Sequence, residues 1–132
     1  MRTITCLPAM LITALLLFGC KKENDLQIQQ GTYKGTFTVT YESGTHTGET
    51  TVELKDGRYS CLANVNKIPA GGSGKYSFDK KSITFNDENV WTTEFDGGLI
   101  LNRRYDYTFD GKNLKINRTN KIGTYTYDLE MQ

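Results

Sequence analysis

From Gly31 onward, apolar and polar positions alternate with a period of two, and hardly any stretch carries a helical period. Tyr33, Phe37, Val39 and Tyr41 alternate with Lys34, Thr36, Thr38 and Thr40, with Gly35 as the gap on the apolar side. The pattern recurs at Val52 and Leu54; at Tyr59, Cys61, Ala63 and Val65; at Tyr76 and Phe78; and at Ile83 and Phe85. It continues at Leu99, Leu101, Tyr105, Tyr107 and Phe109, at Leu114 and Ile116, and at Tyr125, Tyr127, Leu129 and Met131. Eight half-buried strands are predicted. Turn signals separate them: Ser43-Gly44, Asp56-Gly57, Asp79-Lys80-Lys81, Gly97-Gly98, Asp110-Gly111 and Lys121-Ile122-Gly123, with Asn66 to Ser73 as one longer loop. Links this short force neighbouring strands to run antiparallel. Eight strands with one apolar face must cover that face and protect two edges, and closing the sheet does both. The predicted fold is all-β, an eight-stranded antiparallel up-and-down meander closed into a small barrel; a two-sheet β-sandwich is the alternative.

The first residues follow a different pattern. Arg2 precedes an apolar run from Leu7 to Phe18, broken only by Pro8 and Thr13, which is too short for a stable membrane span and reads as a signal peptide. It ends Leu17-Phe18-Gly19-Cys20 and is followed by the charged Lys21-Lys22-Glu23-Asn24-Asp25. This ending resembles the bacterial lipoprotein signal; an ordinary secretory signal or an uncleaved anchor is the alternative. The resemblance implies a signal peptide over 1–19, an acylated Cys20 opening a tether over 20–30, and a single barrel domain over 31–132. Several acyl chains, at about 0.8 kcal/mol per buried methylene, make a permanent membrane anchor. Fully extended, the tether reaches at most about 33 Å. Lys21 is not the Asp that retains enteric lipoproteins in the inner membrane, and the Lys-Glu-rich start is similar to export signals of Bacteroidetes surface lipoproteins. The resemblance therefore implies the outer membrane, on either its periplasmic or its surface face.

Composition narrows the chemistry. The chain has 132 residues, with 16 Lys and Arg against 15 Asp and Glu, so no broad basic field exists for nucleic acid. One His and three Cys are too few for a protein-only zinc site unless all converge, and no cofactor is predicted. Cys6 leaves with the signal and Cys20 takes the lipid, so Cys61 is the one thiol of the mature domain and no internal disulfide is expected. Its place on an apolar strand face reads as a small buried hydrophobe rather than a redox site. A monomeric domain is expected.

Gly31-Thr32-Tyr33 opens the first predicted strand and Gly123-Thr124-Tyr125 the last, which become neighbours in a closed barrel. A Gly-x-aromatic opening followed by an eight-strand meander resembles the calycin group. More closely, it is similar to the small lipocalin-like lipoproteins of Bacteroidetes, over about Gly31 to Gln132. Lipocalins have Trp where this chain has Tyr33, and they bring an Arg from the barrel's end over that ring. Arg118, on the inward parity of Leu114 and Ile116, is the local candidate for that Arg, although it lies on the seventh predicted strand.

No catalytic constellation emerges, and an enzyme is not predicted. His46 lies between Gly44 and Gly48 in a hairpin region, and Asp87, Glu88, Glu94 and Asp96 flank Trp91 without the spacing of a calcium loop. What stands out is that all eight tyrosines (Tyr33, Tyr41, Tyr59, Tyr76, Tyr105, Tyr107, Tyr125 and Tyr127) fall on the apolar parity. A buried phenol without a hydrogen-bond partner costs about 1–3 kcal/mol, so this pattern implies an amphipathic interior or hydroxyls reaching water at the rims. Arg103 shares the parity of Leu101 and Tyr105. Facing inward, it would hold an acidic ligand among Tyr33, Tyr105, Tyr107 and Tyr125; a bulge after Asn102 would instead turn it outward. Trp91 and Phe95, in the loop-rich stretch from Asn86 to Gly98, read either as anchors for a protein partner or as a lid over one barrel end. Two non-catalytic functions follow: an interaction module in the cell envelope or, alternatively, a barrel that binds a small amphipathic or acidic ligand.

Overall fold

The computed structural model describes residues 27–92 and 94–132; the expected signal peptide, Cys20 and most of the expected tether lie outside them. Eight strands form: β1 (Gly31–Tyr41), β2 (Gly44–Lys55), β3 (Arg58–Cys61), β4 (Gly72–Phe78), β5 (Ser82–Asp87), β6 (Arg103–Phe109), β7 (Asn113–Thr119) and β8 (Gly123–Met131). Each pairs antiparallel with the next, and β8 closes on β1 through a ladder from Tyr33↔Met131 to Tyr41↔Gly123. That closing ladder makes the fold a barrel rather than a sandwich, with the meander order of a lipocalin or calycin type. Threonines and aromatics suit the pleated, half-buried surface of these strands. Side chains of Asp79, Asp110 and Asn120 accept backbone N–H groups two and three residues ahead, which fixes three of the tight turns.

The meander gives the barrel two unlike ends. One carries the short turns at 56–57, 79–81 and 110–112, the C-terminus and the incoming chain. Ile28 is buried in the core there and the Gln29 carbonyl accepts the Tyr33 hydroxyl at 2.5 Å, so packing begins three residues before β1. The other, the loop end, carries the β1–β2 turn, the connections over 62–71 and 88–102, and the β7–β8 turn.

Inward positions of every strand meet along the axis. Tyr33, Tyr59, Tyr105, Tyr125 and Tyr127 are buried, while Tyr41, Tyr76 and Tyr107 are half-buried and pack against the core. Rings run across the interior in contact: Tyr59 on Phe85 (4.7 Å between centroids), Phe85 on Tyr105 (5.8 Å), Tyr105 on Tyr127 (6.1 Å) and Tyr127 on Phe37 (4.6 Å). The barrel's middle is filled by aromatic side chains in edge-on and tilted contacts, the arrangement their quadrupoles favour.

The alternation overreaches in two places. β3 ends at Cys61, and the apolar parity of Ala63 and Val65 continues only in sequence: both are exposed, Val65 at 93%. The chain leaves the sheet there and crosses β2 at Gly48, where any Cβ would overlap the Ile68 carbonyl oxygen. Leu99 and Leu101 likewise precede β6 rather than belonging to it. Gly97 and Gly98 form a 3-10 turn (Gly97–Leu99) capped by Asp96, and the Ala70 and Leu101 N–H groups donate to the Leu99 and Gly71 carbonyls, knitting the two long connections together.

Candidate functional site: the loop-end cleft

The Asp96 carboxylate caps the loop end. One oxygen accepts the Tyr41 and Tyr125 hydroxyls, each at 2.7 Å, and the other accepts the Gly98 N–H at 2.9 Å. Gly98 is required by this approach, because a Cβ there would overlap the Tyr125 ring. Burial opposes ionisation of Asp96, but the hydrogen bonds from Tyr125, Tyr41 and Gly98 and the charge of Arg118 outweigh it and hold the carboxyl below its ordinary range. Burial, then the hydrogen bond to the Asp96 carboxylate, pushes Tyr125 up to about 12.

Arg118 projects from β7 beside this cap. Its guanidinium lies over the rings of Tyr105 (5.2 Å to the centroid) and Tyr125 (5.5 Å), and it donates to the Asn102 carbonyl at 3.1 Å. Its Nε is buried and has no hydrogen-bond partner among the described residues, and the same holds for the Tyr127 hydroxyl. The Tyr105 hydroxyl is buried beside the Asn102 N–H, and burial, against the opposing Arg118 charge, pushes its pKa up to about 12. Tyr59, by contrast, donates to the Leu101 carbonyl at 2.5 Å. Native interiors pair nearly all such atoms with protein, ordered water or a ligand.

The wall next to Arg118 is open. The β6–β7 ladder runs from Phe109↔Leu114 to Asp106↔Asn117 and stops. Continued in register, it would pair Tyr105 with Arg118 and Arg104 with Thr119, yet β6 stays on β5 as far as Arg103 and β7 stays on β8 as far as Thr119. Between the parted strand ends lies a cleft of about 530 Å³, lined by Asp96, Gly98, Ile100, Arg103, Arg118 and Ile122 among others. That is the size of a small-molecule site.

Arg103 is exposed and takes a left-handed backbone (φ 77°), which turns it outward, as the bulge alternative describes; it reaches the cleft from outside. The cation at the interior is Arg118. Tyr105 and Tyr125 meet around it. Tyr33 and Tyr107 do not: they sit toward the opposite end, Tyr33 against Phe109 (6.3 Å) and Tyr107 donating to the Asp79 carbonyl at 2.5 Å. Arg118 therefore stacks on Tyr105 and Tyr125 instead of on Tyr33, where the lipocalin resemblance would put it. Trp91 and Phe95 pack edge-on at 5.9 Å, with Trp91 38% exposed and its Nε1 donating to Asp87 at 2.5 Å.

Cys61 is buried against the Thr50 hydroxyl (3.4 Å), and burial pushes its thiol up to about 11. His46 is exposed beside the Tyr41 ring. Among the described residues, no three His, Cys, Asp or Glu side chains gather as a metal site would need. In the sequence Asp96 reads only as one of four acidic residues flanking Trp91; the Gly97-Gly98 that follows it is the signal of a capped turn. No protein family matches the chain, and no curated protein or solved structure matches it either.

Proposed function

We propose that this protein is a non-catalytic binding barrel that holds a small amphipathic or acidic molecule at its loop end, tethered to the outer membrane through a lipid on Cys20. One observation carries the reading: Arg118, which makes one hydrogen bond, to the Asn102 carbonyl, and lies over the buried Tyr105 and Tyr125 rings, lines an open cleft at the loop end. The described chain enters the barrel at the opposite end, so a tether leaving there would point the cleft away from the membrane. The lone Trp91 belongs to a loop-end connection and supplies the assay. Titrating the full lipidated chain in nanodiscs with single-ring and long-chain amphiphiles should change Trp91 emission saturably, beyond the response of empty nanodiscs. No saturable change with any amphiphile contradicts the proposal. For the anchor, Cys20→Ser should abolish fatty-acid labelling, and unchanged labelling removes that part of the reading.

A second reading, an envelope interaction module, draws on the exposed Leu62, Val65, Val90, Trp91 and Ile122, which all belong to loop-end connections. Under it, the same titrations stay flat, and an envelope protein protects these side chains from modification.

A further inference from the structure

The chemistry of the cleft narrows its ligand, given the binding-barrel reading on which this step rests. Four ionisable side chains line it: Arg103, Arg104, Arg118 and Asp96. Their capacity is unequally used. Arg104 donates to the Ser82 hydroxyl at 3.0 Å, and both Asp96 oxygens are taken by Tyr41, Tyr125 and Gly98. The side chain of Arg103 has no hydrogen bond or ion pair among the described residues, and Arg118 has one hydrogen bond, through one of its two terminal nitrogens. The side-chain oxygens of the two asparagines in the lining are also occupied, Asn102 by the Asp87 N–H and Asn120 by the Ile122 and Gly123 N–H groups. The cleft thus offers two guanidinium groups with donors to spare and few free acceptors. The Arg118 guanidinium, confined by the Tyr105 and Tyr125 rings and its bond to the Asn102 carbonyl, offers a planar fork that suits a carboxylate.

Asp96 shares the lining and stays ionised, so it offsets one of the three guanidinium charges and leaves the cleft net cationic. Ile100 and Ile122 supply apolar wall beside the cations. We infer that the cleft between β6 and β7 is a carboxylate site, in which Arg118 and Arg103 hold the carboxylate and Ile100 and Ile122 contact a small apolar body. The left-handed backbone at Arg103, unfavourable for a side-chain-bearing residue, turns that side chain out of the inward parity of Leu101 and Tyr105 and brings a second cation to the cleft mouth.

Isothermal titration of the full chain with 4-phenylbutyrate, its neutral amide, and phenyl phosphate tests this at about pH 8, where a phosphate monoester is a dianion. The acid should bind at least about tenfold more tightly than its neutral amide. Arg103→Gln, at an exposed position, should weaken the acid about three- to tenfold and leave the amide unchanged. Arg118→Lys, which keeps the charge but loses the planar fork, should weaken the acid by about tenfold or more. Equal affinity for acid and amide overturns the anion site while leaving the binding-barrel reading intact. Phenyl phosphate binding about tenfold or more tightly than the acid overturns the carboxylate as the anion the cleft prefers. If none of the three binds while a long-chain amphiphile still shifts Trp91 emission, the inference fails alone; if nothing binds at all, both fail.

Discussion

Replacing Asp96 with Ala removes three hydrogen bonds at once, from the Tyr41 hydroxyl, the Tyr125 hydroxyl and the Gly98 N–H. A bond to a charged acceptor contributes about 1.5–3 kcal/mol net, and the buried Tyr125 falls in that range. The Tyr41 and Gly98 bonds lie where water or relaxation can replace them, and they add about 0.5 kcal/mol each, for a total near 3 kcal/mol. In a domain of this size each kcal/mol lowers Tm by about 4–8 °C, so Asp96→Ala should melt roughly 12–24 °C below the parent. Asp96→Asn keeps one acceptor oxygen and should lose about half as much.

The pH dependence has a fixed sign. Because the folded state holds Asp96 below its ordinary range, the unfolded chain takes up the proton first as pH falls. The stabilisation is therefore fully present above the unfolded carboxylate pKa, about 3.9, and is lost as pH falls through the lower folded value. Melting the parent and Asp96→Asn by circular dichroism from about pH 7 to pH 3 isolates this group, since depressed carboxylates elsewhere, such as Asp79 and Asp110, cancel in the difference. The gap should be constant near neutrality and close in acid. Asp96→Ala melting within about 2 °C of the parent, or a gap that widens in acid, would refute the assignment of Asp96 as the loop-end cap.

Other substitutions probe the same architecture. Gly98→Ala should destabilise by about 1–3 kcal/mol in denaturant titration, because its methyl group occupies the space of the Tyr125 ring. Tyr59→Phe should cost about 1 kcal/mol by losing the bond to the Leu101 carbonyl, whereas Tyr127→Phe, which removes an unpartnered hydroxyl, should be neutral or stabilising in the ligand-free protein. The Cys61 thiol, buried and pushed up to about 11, should resist a thiol reagent at neutral pH until the barrel unfolds, with labelling and unfolding sharing one denaturant midpoint.

The period-two pattern made the barrel legible because each strand presents one face to the core, and closure covers that face while leaving no edge; the β8–β1 ladder decides it against the sandwich. It misled where parity survived but the backbone did not stay extended. Leu101, Arg103 and Tyr105 share a parity, yet the left-handed Arg103 breaks the alternation, so Leu101 and Tyr105 point inward and Arg103 does not. Val65 continues the parity of Cys61 but lies past the point where the chain leaves the sheet to cross Gly48. Arg118 was legible by parity because β7 stays regular to Thr119. Asp96 was not, since its role depends on hydroxyls from β1 and β8 that are far away in sequence.

The central claim is that the cleft lined by Arg118 and Arg103 is filled by a ligand in the cell. Native mass spectrometry of the protein purified from its own envelope, without extraction of small molecules, addresses this directly. The expected result is one additional small mass per chain, lost on unfolding and identified as a carboxylic acid. A chain carrying no small molecule, recovered in stoichiometric complex with another envelope protein, would contradict it.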